Sequence, residues 1–307
     1  MPGNSVIKVA LDWTPNTIHT GMFAAVAKNF YADAGLDVRL LSPDDEYTDT
    51  PAKLLEKGEV DLAVCPSESC IAYAESGKMQ LQAIYAILQK DASAIVSTKS
   101  EFEKIAALEK GVYGSYNARY EDHIVRAMVS ADGGKGSNMQ IQSSVGKLSL
   151  FEEMKQGKVD ATWVFLPWEG VEAELDGTTL HAFKTEDYGI PYGYSPVISR
   201  SASSNRVSSE DLTKFVEATK RGYEFAMNNV SESVEILSKH CRPSRSLEFL
   251  ERSQRQINEF YGDGSKLGYM EEKKWQTWVD WLRKQDLLKA QDVTVDKLFV
   301  NEFSSSK

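Results

Sequence analysis

The sequence predicts an α/β protein of two lobes with a ligand cleft between them. Strands alternate with helices along the chain before Ser209, the pattern of an open, largely parallel sheet covered by helices. A unit of helix end, glycine, acidic residue and strand occurs twice, around Gly58-Glu59-Val60-Asp61 and Gly157-Lys158-Val159-Asp160. Both strands run into Pro-x-Glu, as Pro66-Ser67-Glu68 and Pro167-Trp168-Glu169. That places two glutamates past the carboxyl ends of strands, where open α/β sheets bind ligands.

The elements follow in order. Val6 to Leu11 reads as a buried strand, Gly21 to Phe30 as a helix, and Leu36 to Leu40 alternates into a second strand after Gly35. Thr50 to Lys57 is a helix ended by Gly58, Val60 to Val64 a strand, and Glu68 to Glu75 a helix closed by Gly77. The theme repeats: Ile105 to Leu108 leads to Gly111-Val112-Tyr113-Gly114, a helix runs from Tyr120 to Val129, and Ile141 to Val145 is a strand. Leu150 to Gln156 is a helix closed by Gly157, and Val159 to Leu166 a strand. Beyond Ser209 the patterns at 210–228, 231–239, 246–260 and 271–289 are helical, with Trp275, Trp278 and Leu282 spaced as a packing face. The tail Ser304-Ser305-Ser306-Lys307 reads as frayed.

Composition narrows the function. The 307 residues carry 35 basic and 45 acidic side chains, a net charge of −10, which repels phosphate backbones and anionic membranes. No nucleic-acid partner and no membrane insertion are expected, and a protein partner is left open. The apolar fraction of 42% supplies a real core. Three cysteines (Cys65, Cys70, Cys241) build no disulfide framework and suit a reducing compartment. The four histidines are scattered, without zinc spacing, so no metal is expected. No secretory signal stands before Val6, and the expected location is cytoplasmic, an exported mature form being the alternative.

Three clusters carry polar chemistry. In Asp12-Trp13-Thr14-Pro15-Asn16-Thr17-Ile18-His19-Thr20, Trp13 can stack on a flat ring while Asn16 or His19 bonds its edge. The same residues equally make a structured loop. Gly111 to Glu121 places small residues before a helix, where amides of the Ser115–Asn117 turn can meet an anion or a polar ligand atom. An ordinary turn with Ser115 or Asn117 as cap is the plain alternative, since neither a Walker nor a dinucleotide fingerprint is present. Trp163, Trp168 and Glu169, with Tyr188, Tyr192 and Tyr194 downstream, form an aromatic group around a carboxylate, suited to a planar, amine-bearing ligand. Glu68 and Glu169 can act as acid and base or as static acceptors. Cys65 and Cys70 fit buried thiols about as well as nucleophiles.

The run Leu11-Asp12-Trp13-Thr14-Pro15-Asn16-Thr17-Ile18-His19-Thr20-Gly21, with Trp168-Glu169-Gly170, resembles the NMT1/THI5-like (SsuA/THI5-like) family. This family contains receptors for formylaminopyrimidine thiamine precursors and fungal enzymes that make the thiamine pyrimidine. The resemblance covers residues 6–200 well and the helical tail loosely. It implies a periplasmic-binding-protein-like type II fold, with 1–92 and 197–307 in lobe one and 93–196 in lobe two. It implies Trp13 for stacking, Glu68 for the pyrimidine amino edge, Ser115 and Asn117 for polar or anionic substituents, and Trp168, Glu169, Tyr188 and Tyr192 closing the second side. The related synthases consume one of their own histidines and hold pyridoxal phosphate on a lysine. Aligned on Val60-Asp61, those positions are Ser69 and Cys65, and Tyr192-Gly193-Tyr194-Ser195-Pro196 stands where the synthases carry a cysteine-rich run. The expectation is therefore a binder of a small planar nitrogen heterocycle, with no cofactor and no catalytic residue assigned. An enzyme of thiamine-pyrimidine metabolism or a ligand-sensing interaction protein is the alternative.

Overall fold

The structure is a computed structural model that describes residues 4–44, 47–143, 149–262, 264 and 266–304. The first elements are β1 (Ser5–Ala10), α1 (Thr20–Ala27), α2 (Phe30–Asp33), β2 (Leu36–Leu41), α3 (Pro51–Glu56), β3 (Leu62–Cys65), α4 (Ser67–Ser76) and β4 (Leu81–Ala86). They are followed by β5 (Ser93–Ser97), β6 (Val112–Ser115), α5 (Glu121–Ala131), β7 (Gln140–Ser143), α6 (Leu150–Lys155), β8 (Ala161–Phe165), α7 (Val171–Asp176) and β9 (His181–Phe183). The chain ends with β10 (Val197–Ser201), α8 (Ser209–Asn228), α9 (Val230–Ser238), α10 (Leu247–Tyr261) and α11 (Glu272–Lys284). It divides into two compact units: Met1–Asp45, Asp49–Asp91 and Gly193–Lys307 form unit one, and Ala92–Tyr192 the body of unit two.

Each unit is built on a five-stranded sheet, of order β2-β1-β3-β10-β4 in unit one and β7-β6-β8-β5-β9 in unit two. Neither sheet is as parallel as the alternation of elements suggests. β10 runs antiparallel to both β3 and β4, and β5 antiparallel to both β8 and β9. The reversed strands each begin within a few residues of a passage of the chain between units, at 91/92 and 192/193.

The repeated Gly-x-Val-Asp has a physical basis. Gly58 (φ 72°) and Gly157 (φ 73°) take left-handed backbone that ends α3 and α6. The aspartates then clamp the neighbouring strand. Asp61 Oδ2 accepts Lys8 N–H at 2.9 Å and Asp61 N–H donates to Lys8 O at 2.9 Å. Asp160 Oδ2 accepts Val112 N–H at 2.7 Å and Asp160 N–H donates to Val112 O at 2.7 Å. Both aspartates also meet a cation, Arg206 for Asp61 and Lys99 for Asp160.

Local sequence sets the helix ends. Thr50, Ser208 and Ser246 cap α3, α8 and α10 through side-chain oxygens, and Gly77 and Gly177 end α4 and α7 with φ of 65° and 70°. The expected helix from Gly21 to Phe30 is broken in two because Asn29 is left-handed at φ 60°. Ser144 and Val145, at the end of the expected strand from Ile141, and the tail beyond Ser304 lie outside the described residues. In unit one Trp275, Trp278 and Leu282 are buried, and Trp275 stacks on Phe299 at 5.5 Å and 2°. The segment around Phe299 also covers the β4 edge, with Ala83 N–H to Leu298 O and Val300 N–H to Ala83 O, both at 2.9 Å. In unit two Ala94, Val96, Phe151, Met154, Val159, Val164 and Ala173 form a continuous core.

Candidate ligand-binding site

In unit one β1 and β3 end side by side, and the loops that leave them carry the candidate residues. Asn16 opens a single 3-10 turn, Thr17–His19. Its Oδ1 accepts Ile18 N–H at 2.8 Å, its Nδ2 donates to Thr14 O at 3.1 Å, and its backbone N–H donates to His19 Nδ1 at 3.3 Å. With Nδ1 accepting, His19 Nε2 carries the proton and donates to Asp12 Oδ1 at 2.8 Å. His19 is 0% exposed and Asn16 is buried. Their polar atoms are engaged within the loop, so Asn16 and His19 shape the segment that carries Trp13, while the half-buried Trp13 is the ring it presents.

Glu68 lies in the first turn of α4, directly after β3, and is 6% exposed. The amino end of a helix favours a carboxylate, but near-complete burial of a charge is costly and is tolerated where function or bonding demands it. The neighbouring Ser67 N–H donates to Tyr194 O at 2.9 Å. That approach needs Gly193, where an added Cβ would stand 2.4 Å from Ser67 Oγ and 2.8 Å from Trp278 Cδ1. Cys65 and Cys70 are buried and both sit on the Ser199 hydroxyl, at 3.6 and 3.5 Å. A hydrogen bond with Cys70, together with burial, pushes the Cys65 thiol up, while against burial the hydrogen bonds of Cys65 and Ser199 hold the Cys70 thiol below its ordinary value.

In unit two Val112–Ser115 is a strand, β6, and the turn after it is already filled by the protein's own carboxylate. Glu121 Oε1 accepts Tyr116 N–H at 3.1 Å and the Tyr113 hydroxyl at 2.7 Å, and Oε2 accepts Ala118 N–H at 3.0 Å. Ser115 Oγ accepts Asn117 N–H at 2.9 Å, and Asn117 is left-handed at φ 61°. The amides that the sequence offers to an anion therefore have internal acceptors, and what the turn presents is side chains. Burial raises the Glu121 carboxyl above its ordinary value despite these three donors. Ionisation thus weighs against folding: the contribution of the group is full below its unfolded-state pKa and falls as pH rises through the higher folded value. Glu121→Gln sets an Nε2 donor against Ala118 N–H and is expected to cost about 1–3 kcal/mol. Urea melts between about pH 4 and pH 7 should show that loss together with a flatter pH profile.

β8 ends beside β6 and runs into the π-turn Leu166–Gly170, which carries Trp168 and Glu169. Glu169 Oε2 accepts Phe165 N–H at 3.0 Å, which orients the carboxylate at the strand end. Tyr116 belongs to the same group: burial, then Glu169 and Glu121, push its hydroxyl up. Sequence reasoning missed it, although it stands between Ser115 and Asn117, because capping logic selects the hydroxyl and amide residues of such a turn. Trp163 and Tyr192 pack together at 5.4 Å and 52°. Tyr188 ends a 3-10 turn, Thr185–Tyr188, and its hydroxyl is pushed up by burial and then by Asp132 and Asp187. Among the described residues no three His, Cys, Asp or Glu side chains group to hold a metal ion.

Two α/β units, each on a mixed five-stranded sheet with the polar loops beyond its parallel strand ends, define the periplasmic-binding-protein-like fold. Within that class the chain belongs to the NMT1/THI5-like family, whose model matches residues 16–233. It is 23% identical over 297 residues to the formylaminopyrimidine-binding protein of Halalkalibacterium halodurans, covering 94% of this chain and 88% of that one. Among solved structures it is similar to the ligand-binding component of an ABC-type import system from Staphylococcus aureus, with a TM-score of 0.74, 15% identity and 98% of both chains covered. It is also similar to the alkanesulfonate-binding protein SsuA of Xanthomonas axonopodis, with a TM-score of 0.73, 12% identity, and 98% and 100% covered. No described helix is long and apolar enough to cross a membrane.

Proposed function

We propose that the protein binds a small planar nitrogen heterocycle, a pyrimidine of the thiamine-precursor kind, without transforming it. The observation that carries this reading is the pairing, on adjacent strand ends of unit one, of a half-buried Trp13 with the nearly buried carboxylate of Glu68. A ring stacked on indole, with its amino edge donating to a carboxylate, uses both groups. In unit two, Glu169, Trp168 and Tyr116, with Ser115 and Asn117 beside them, are the ligand-contacting candidates of that unit by themselves, and Trp163 with Tyr192 is their aromatic support. Asn16 and His19 act by shaping the Trp13 loop. The name of the 23% identical relative supports the ligand class. Catalysis through Cys65 is disfavoured by its burial and raised pKa. A cytoplasmic location accords with three buried cysteines that are all free thiols.

Native mass spectrometry of the purified protein, followed by denaturation, is expected to release an aminopyrimidine. Added formylaminopyrimidine should stabilise the protein by about 2.7 kcal/mol at a hundredfold excess over Kd. A protein that carries nothing and shows no thermal shift with aminopyrimidines would overturn the ligand assignment.

A further inference from the structure

We infer that Tyr261 and Ser253 of α10 and Tyr223 of α8 are positioning residues that hold the Trp13 loop in its binding geometry, an inference that rests on the proposed role of Trp13. Three side chains from the C-terminal helices converge on two consecutive residues of the 3-10 turn. The Tyr261 hydroxyl donates to Thr17 O, the Tyr223 hydroxyl donates to Ile18 O at 2.8 Å, and Ser253 Oγ bonds Thr17 Oγ1 at 2.6 Å. Thr20 Oγ1 adds a fourth bond, to Thr17 O at 3.1 Å. Tyr223, Tyr261 and Ser253 are each 0% exposed.

A buried hydroxyl costs free energy unless it is bonded, and phenylalanine or alanine would fill these positions without that cost. Bonding does not follow automatically from burial in this core. Tyr85 is 1% exposed, its ring is stacked 5.8 Å from that of Tyr223, and its buried hydroxyl has no hydrogen-bond partner among the described residues. The Tyr223, Tyr261 and Ser253 groups differ in what they hold. From the turn, Asn16 pins Thr14 O, and His19 pins Asp12, so the residues on both sides of Trp13 are tied to a turn that is itself tied to α8 and α10. Contacts between residues more than 200 positions apart thereby fix the segment that carries Trp13.

The test uses the full chain labelled with 5-fluorotryptophan. Six tryptophans give six fluorine resonances, and loss of one in Trp13→Phe assigns Trp13. In Tyr261→Phe and in Ser253→Ala the Trp13 resonance is expected to shift or broaden while that of the α11 residue Trp275 stays in place. Affinity for formylaminopyrimidine should weaken about five- to tenfold in each, the scale of one lost hydrogen bond. A lower melting temperature with the Trp13 resonance unmoved would overturn the inference and leave these groups purely structural. A moved Trp13 resonance in a protein with no affinity for any aminopyrimidine, wild type included, would uphold the positioning and count against the ligand reading instead.

Discussion

Gly222→Ala is expected to lower the stability of unit one by about 3 kcal/mol, read as a shift in the urea midpoint. α1 and α8 cross at two glycines. A Cβ at Gly222 would stand 2.0 Å from Gly21 O and 2.8 Å from Ala25 Cβ, and one at Gly21 would stand 2.3 Å from the Tyr223 ring. The first obstacle is backbone, which no rotamer change relieves, so the helices must separate. Separation also draws Tyr223 away from Ile18 O, and with it one tie on the Trp13 loop. Gly170→Ala is the control, since its nearest neighbour, Leu166, would lie at an ordinary 3.6 Å. Equal melts for the two variants would show that the α1–α8 crossing yields easily.

The elements the sequence made legible are those with punctuation. α3, α4 and α6 end on glycines with positive φ, and the amphipathic helices α8 to α11 show their apolar stripes directly. The strands left unassigned are β4, β5, β6, β9 and β10. β4 and β5 are buried along their full length, so they lack the alternation that marks a half-exposed strand. Those gaps also hid the reversed strands. A strand's direction in a sheet depends on where the chain enters it, and no local pattern in Ser93–Ser97 or Val197–Ser201 encodes that. The site was legible to the extent that it lies on strand ends: Glu68 and Glu169 follow β3 and β8 as the repeated Pro-x-Glu implies. What composition could not show is which polar atoms the protein engages itself. Glu121 was read as part of a helix start, yet its carboxylate fills the turn that Ser115 and Asn117 were expected to leave open. Only the fold brings it back onto those amides.

Trp13→Ala should weaken binding of formylaminopyrimidine by at least about thirtyfold, roughly 2 kcal/mol, with little change in melting temperature. The indole is half-buried in the free protein, so its removal forfeits a modest part of the core. Its loop neighbours keep their bonds without it, since Asp12–His19 and Asn16–Thr14 O do not involve the ring. Stability and affinity should therefore separate in this variant, unlike Gly222→Ala, where both fall. Trp13→Phe keeps a flat face in the same rigid loop and should recover most of the loss, because a stacked ring draws on area and polarisability more than on the indole N–H. Glu68→Gln acts on the other contact: it keeps the shape but replaces a charged acceptor with a neutral amide, and a ligand amino group then loses a charge-assisted bond. If the ring and the carboxylate grip one ligand, the double variant Trp13→Ala with Glu68→Gln should lose less than the sum of the single losses. An affinity left unchanged by Glu68→Gln while Trp13→Ala weakens it, measured by titration calorimetry, would mean that Trp13 and Glu68 do not share a ligand.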